Sequence, residues 1–349
     1  PAPGKDAPRL EPEPKPKRSG VASAPGPKPE RRPSPKPELA QEEASMAGMS
    51  AALIVPAPAP APARLQVPAA AAAGPSEEPT SPSSSAGRPG HDRKALIKVA
   101  EENYKLRFKW QVPRTAYWEW SACEGAQATV PLLKDRAVVT AMDWSTADAM
   151  LHFGKQPGHV VCAMNFANGE RLGGGYKTGA VAQEEDLCRR LPNLYTSLIQ
   201  ADRDKFYPFG PCTAVSREDP RKYSDVLFTP DLAVARLGQE ADFALLPPAQ
   251  QTTGALVTVA APNINFAKEL YDLDLMYNTV KATFLVPRLA QPKTTTLILG
   301  AWGCGAFGGN PHEISELFAK ALLSDDLARL YKEIHFAIPT YSPGDKNAQ

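Results

Sequence analysis

Gln183-Glu184-Glu185 sets two carboxylates side by side at what reads as the start of a helix. Two carboxylates sharing one pocket repel, which pushes one pKa up and leaves the other group ionised. A protonated glutamate beside a sugar–phosphate ligand is what cleavage of a glycosidic bond needs. Glutamate in a first helical turn commonly does no more than complement the helix dipole on a solvated surface. The helix N-terminus opposes a raised pKa and burial favours one, so the residues alone leave that balance open.

What surrounds the pair gives it a chemical context. Two glycine-rich segments each follow a short apolar run. The first reads Asn165-Phe-Ala-Asn168, then Gly173-Gly174-Gly175 and Gly179; the second reads Gly300-Ala-Trp-Gly303-Cys304-Gly305-Ala306-Phe307-Gly308-Gly309. Glycine permits positive φ and lets backbone N–H groups approach an anion closely. Loops of this kind at the carboxyl ends of strands could hold a diphosphate from both sides. No Gly-Lys-Ser/Thr follows either loop, and neither fits Gly-x-Gly-x-x-Gly with an acidic partner, so both nucleotide signatures are excluded.

The elements that must position these residues follow from the apolar pattern. Leu96, Ile97, Ala100, Tyr104 and Phe108 are spaced as one helical face over 92–110. Strands are predicted at 136–141, 160–164, 225–229, 256–261, 294–299 and 334–338. Helices are predicted from Asp143/Thr146 to Phe153, and over 184–200, 266–284 and 312–323. The run Val160–Met164, apolar on both faces, suits a central strand covered by helices on each side. Strands alternating with helices imply an α/β layered fold, mostly parallel in its middle.

Composition divides the 349 residues in two. Residues 1–90 hold 21 of the 37 prolines and none of the aromatics, and are predicted to be a disordered Pro/Ala/Ser-rich tail, leaving a globular domain at 91–349. A net charge of +1 gives no field for polyanions at large, so general nucleic-acid binding is not expected. The apolar runs of the tail, such as Ala51 to Val55, are far too short to span a membrane. Five cysteines, an odd number with no Cys-x-x-Cys pair, point to reduced thiols inside the cell, in the cytoplasm or in the nucleus of a eukaryote. The scattered histidines have no ligand spacing, and no metal site is expected.

Gly173-Gly174-Gly175, seven residues, then Gln183-Glu184-Glu185 resembles the signature of poly(ADP-ribose) glycohydrolases. Asn165-Phe-Ala-Asn168 and Leu194-Tyr195 resemble the flanking segments. Ala261-Pro262-Asn263 and Gly300 to Phe307 resemble the microbial-type branch in particular. The resemblance covers about residues 92–340. It implies a macrodomain-like three-layer αβα sandwich with a mixed central sheet, its core at about 136–340. It implies an enzyme that hydrolyses ribose–ribose O-glycosidic bonds from the chain end, with poly(ADP-ribose) and ADP-ribosylated proteins as substrates and no cofactor. Glu185 would be the acid–base and Glu184 would position the ribose. Asn168 would contact the terminal ribose; Asn165 stands where some relatives have aspartate. Gly173, Gly174, Gly175 and Gln183 from the first segment, and Gly303, Cys304, Gly305 and Ala306 from the second, would bind the substrate, with Phe307 packing near the terminal ribose. Asp143, Asn263 and Asn265 are all candidates for the adenine. A monomer is expected. Two other functions fit the same residues: a non-catalytic ADP-ribose-binding macrodomain, which would not need Glu184-Glu185, and a hydrolase of mono-ADP-ribosyl groups.

Overall fold

The apolar run beginning at Val160 lies at the centre of a seven-stranded mixed sheet. The computed structural model describes residues 92–216 and 218–340; the predicted tail and its boundary at 90/91 lie outside them. In chain order the elements are α1 (Arg93–Leu106), β1 (Ala116–Trp118), α2 (Trp120–Ala126), β2 (Val138–Met142), α3 (Thr146–Gly154), β3 (Val161–Ala167), α4 (Gln183–Arg190), α5 (Leu194–Arg203), α6 (Thr213–Ser216), β4 (Val226–Val234), β5 (Thr252–Ala260), α7 (Leu273–Ala290), β6 (Thr296–Leu299), α8 (Pro311–Leu323) and β7 (Glu333–Ala337).

The strand order is β1-β4-β5-β3-β6-β7-β2. β3 runs parallel to both neighbours, with Cys162 opposite Ala255 on β5 and Leu297 on β6. β6, β7 and β2 continue the parallel part, and β4 and β1 close the other edge antiparallel. Alternation along β3 feeds two cores. Cys162 and Met164 pack with α2, α7 and α8 on one face, while Val161 and Ala163 pack with α3, α4 and α5 on the other. This is the expected three-layer αβα sandwich.

Several elements differ from the sequence-based expectation, each for a local reason. The helix predicted over 184–200 is two, α4 and α5, because Pro192 forces Leu191 out of the helical region, to φ −113° and ψ 85°. The helix predicted from 266 starts instead at Leu273, where Asp272 accepts from the Asp274 and Leu275 amides. Asp143 does not open α3. Ser145 caps it, and Asp143 accepts from the Thr340 amide at 2.6 Å, tying the end of β2 to the chain beyond β7. On α1 the buried face is Leu96, Val99, Ala100 and Asn103; Tyr104 and Phe108 are exposed, with the Arg107 guanidinium over both rings. β1 and α2 were not foreseen. Among the described residues no helix is long and apolar enough to cross a membrane.

Candidate active site

β3 runs directly into the first glycine loop, and α4 follows it, so the carboxylate pair is delivered to the carboxyl end of the central strand. Gln183 sets the start of α4. Its Oε1 accepts from the Phe166 amide at 2.8 Å, and its Nε2 donates to the Met164 carbonyl at 2.7 Å and to Thr146 Oγ1 at 3.0 Å. One side chain thus ties the helix N-terminus to β3 and to α3.

The loop then closes around the glutamates. Glu184 accepts one amide on each oxygen, from Asn168 at 3.0 Å and Gly173 at 3.2 Å. Glu185 accepts from the Gly175 amide on Oε1 at 2.7 Å, and its Oε2 has no hydrogen-bond partner among the described residues. A Cβ on Gly174 would stand 2.5 Å from Glu185 Oε1 and 3.3 Å from Glu184 Oε2, so both carboxylates converge on this residue. Gly174 has φ +53°, a second reason for glycine here.

Burial pushes the Glu184 carboxyl up to about 8; the negative charge of Glu185 adds to the rise, while the amides of Asn168 and Gly173 and the Asn165 side chain oppose it. Glu184 is 3% exposed and Glu185 7%. Burial therefore outweighs hydrogen bonding and the helix N-terminus at Glu184, a balance the sequence left open. Asn165 is fully buried: its Nδ2 donates to Thr258 Oγ1 at 3.3 Å, and its Oδ1 has no partner among the described residues. Asn168 turns its Oδ1 back onto the Glu170 and Arg171 amides, both at 3.0 Å.

The second loop leaves β6 and is anchored by Trp302, fully buried, whose indole donates to the Val259 carbonyl of β5 at 3.3 Å. The Cys304, Gly308 and Gly309 amides donate to carbonyls within the loop. The amides of Gly303, Gly305, Ala306 and Phe307 have no partner among the described residues. A side chain at Gly305 would meet nothing within 4 Å. The loop is tied to the segment after β5, Ile264 N donating to the Phe307 carbonyl at 3.1 Å and Asn265 Nδ2 to the Ala306 carbonyl at 2.9 Å. Burial pushes the Cys304 thiol up to about 11, so near neutral pH it is not a thiolate.

The two loops thus differ in what they offer an anion. In the first, the Gly173 and Gly175 amides are engaged by the glutamates and the Gly174 amide by the Arg171 carbonyl at 2.9 Å. In the second, four amides are open. Sequence reasoning missed Asn103, which is buried on α1. Its Nδ2 lies within reach of Tyr176 Oη at 3.2 Å and of the Cys188 and Arg189 carbonyls at 3.3 and 2.9 Å, and its Oδ1 accepts from Arg236 Nε at 2.8 Å. A polar residue in the apolar stripe of an amphipathic helix was the available signal. Among the described residues no group of three or more His, Cys, Asp or Glu side chains is arranged to hold a metal.

The family model described as microbial-type PARG, catalytic domain, matches residues 92–237, which include the first glycine loop and the glutamate pair. No curated protein matches the chain. Among solved structures it is similar to poly(ADP-ribose) glycohydrolase (PARG) from Thermomonospora curvata, at 24% identity over 72% of this chain and 96% of that one, with a TM-score of 0.62. The same enzyme bound to the inhibitor ADP-HPD gives 24% and a TM-score of 0.59, with the same coverage. The enzyme from Deinococcus radiodurans in complex with ADP-ribose is 23% identical over 69% of this chain and 92% of that one, with a TM-score of 0.55. The structural likeness shows the fold, which is macrodomain-like, and the resemblance carried by the glycine and glutamate motif is borne out.

Proposed function

We propose that this chain is a poly(ADP-ribose) glycohydrolase in which Glu185 is the acid–base and Glu184 its buried partner. The observation that carries the reading is the unequal engagement of the two carboxylates. Both Glu184 oxygens accept backbone amides, whereas one Glu185 oxygen accepts none among the described residues. The Glu185 oxygen that accepts no amide is the one open to exchange a proton with a substrate.

In this reading the diphosphate of ADP-ribose rests on the second loop, where the amides of Gly303, Gly305, Ala306 and Phe307 are open. Cys304 lines that loop, and Phe307 packs near the terminal ribose. Glu184, raised to about 8, holds its proton near neutral pH. As the bond between the anomeric carbon and the oxygen of the preceding ribose breaks, the proton that Glu184 holds at rest moves to Glu185 and from Glu185 to that oxygen, which leaves as a hydroxyl, so that the pair is left with both carboxylates ionised. The sugar passes through an oxocarbenium-like state, and the charge left on the pair stabilises it. Glu185 then takes a proton from the water that adds to the anomeric carbon, and the pair is restored. Release of ADP-ribose from the chain end, ribose contacts by Asn165 and Asn168, and shaping of the pocket by Gly173, Gly174, Gly175 and Gln183 belong to the same proposal.

A binding module is the second reading, favoured by the four open amides, which would hold a diphosphate without any carboxylate. Incubating the protein with purified poly(ADP-ribose) and measuring free ADP-ribose decides between them. Release that is lost in Glu185→Gln supports the enzyme. Binding of ADP-ribose without release from the polymer establishes the module.

A further inference from the structure

Phe266 is the most exposed large apolar side chain among the described residues, at 88%. It is not on a loose segment. The Phe266 and Ala267 amides both donate to the Asn263 carbonyl, at 3.1 and 3.0 Å, and the Asn265 amide donates to Asn263 Oδ1 at 3.2 Å. Ala267 turns inward, 4% exposed, and the ring is displayed outward. Phe108 is nearly as exposed, but the Arg107 guanidinium lies 4.3 Å from its centroid; Phe266 has no ring or cationic partner among the described residues. A structured turn that holds a phenyl ring in water forgoes the gain of burying it.

The place of this ring in the sheet gives it a use. The second loop follows β6, the glutamates follow β3 and the Phe266 segment follows β5, and these strands are consecutive in the sheet. The Phe266 segment is also bonded to the second loop through Ile264 and Asn265. A ligand whose diphosphate sits at the β6 end and whose scissile bond meets Glu185 at the β3 end continues toward the β5 end. Lys268, two residues past the ring, is exposed and forms no ion pair among the described residues.

We propose that Phe266 is a stacking platform for the adenine of the unit that remains on the polymer beyond the cut, with Lys268 beside that unit's phosphates. The inference rests on the glycohydrolase reading and adds to it a subsite that distinguishes polymer from free ADP-ribose. Stacking on an aromatic ring is tolerant of sequence and needs only a π-face, and every unit of this polymer presents one.

The test uses the full chain carrying Glu185→Gln, so that the polymer survives, and compares affinities for poly(ADP-ribose) of defined length and for ADP-ribose. Phe266→Ala should weaken polymer binding at least about fivefold, the low end for one base stacked on an aromatic. It should leave ADP-ribose affinity within about twofold, and Phe266→Trp should restore polymer binding. Equal losses for monomer and polymer would place the ring against the bound unit itself and overturn the proposal, as would no loss for either. If the parent protein binds neither ligand, the glycohydrolase reading has failed and the platform falls with it. Thermal melting of each variant guards against misfolding, and a Phe266→Ala protein that melts early while Phe266→Trp does not restore polymer affinity also counts against the platform.

Discussion

The Gly175 amide holds Glu185 Oε1 at 2.7 Å and leaves the other carboxyl oxygen without a hydrogen-bond partner among the described residues. One oxygen fixes the group and the other is available to a substrate. Glu185→Gln can keep the Gly175 contact through its amide oxygen but cannot exchange a proton. General acid–base catalysis typically contributes 10²–10⁴-fold, so release of ADP-ribose from the polymer should fall by at least about 10²-fold. Calorimetric affinity for ADP-ribose should change little, because the open amides of the second loop lie elsewhere.

Glu184 predicts an unusual pH dependence. Its ordinary carboxyl value of 4.5 is raised to about 8 in the folded protein, with burial the largest cause. Between those values the folded protein holds a proton that the unfolded chain has released, so this group's contribution to stability is full below pH 4.5 and is lost as pH rises through about 8. Denaturation midpoints measured across that range should show the decline, and Glu184→Gln should flatten it. The substitution also sets an amide N–H against one of the two backbone donors at Asn168 and Gly173, and should cost about 1–3 kcal/mol at every pH. A variant that keeps the wild-type slope would remove Glu184 as its source.

The glycines of the two loops should respond differently. Gly174→Ala puts a Cβ into the contact of the Glu185 carboxylate at a residue with φ +53°, and should lower turnover more than it lowers affinity for ADP-ribose. Gly305 faces open space, so Gly305→Val should fold normally; its branched side chain should still reduce ADP-ribose affinity at least about tenfold by crowding amides that approach an anion. Paired turnover and calorimetric measurements check both, and unchanged affinity in Gly305→Val would remove that loop from the site.

Asn103 joins the first loop to the helix that carries the glutamates, through Tyr176 on one side and the Cys188 and Arg189 carbonyls on the other. Asn103→Ala removes both links and leaves buried carbonyls without a donor, each worth about 1–3 kcal/mol. Chemical denaturation should register the loss, and kcat should drop while KM moves less.

The sequence was most legible where the signal was local. The two-faced apolar run at β3, the glycine triplet and Gln183-Glu184-Glu185 each announce themselves within a few residues, and the structure brings them together at one strand end. It was least legible where a distant partner decided the outcome. Nothing near Tyr104 and Phe108 says that Asn103, through bonds to residues more than 70 positions away, will turn its own side of α1 inward. Nor does the glycine triplet reveal that its amides will be engaged by the glutamates. Loop and helix start are read as two motifs, yet they fold as one hydrogen-bonded unit. The break at Pro192 was readable from the proline itself, and the continuous helix expected across it gave too little weight to a missing N–H.

That break has a mechanical consequence. α4 is only eight residues long and is pinned at both ends, by Gln183 to β3 and by Arg190, whose guanidinium reaches Asp148 at 2.5 Å and Ser145 at 2.8 Å. A lever this short, fixed at each end, has no fulcrum about which to swing. The glutamates therefore ride on a rigid strut, fixed to the central strand through Gln183 and to α3 and its cap through Arg190.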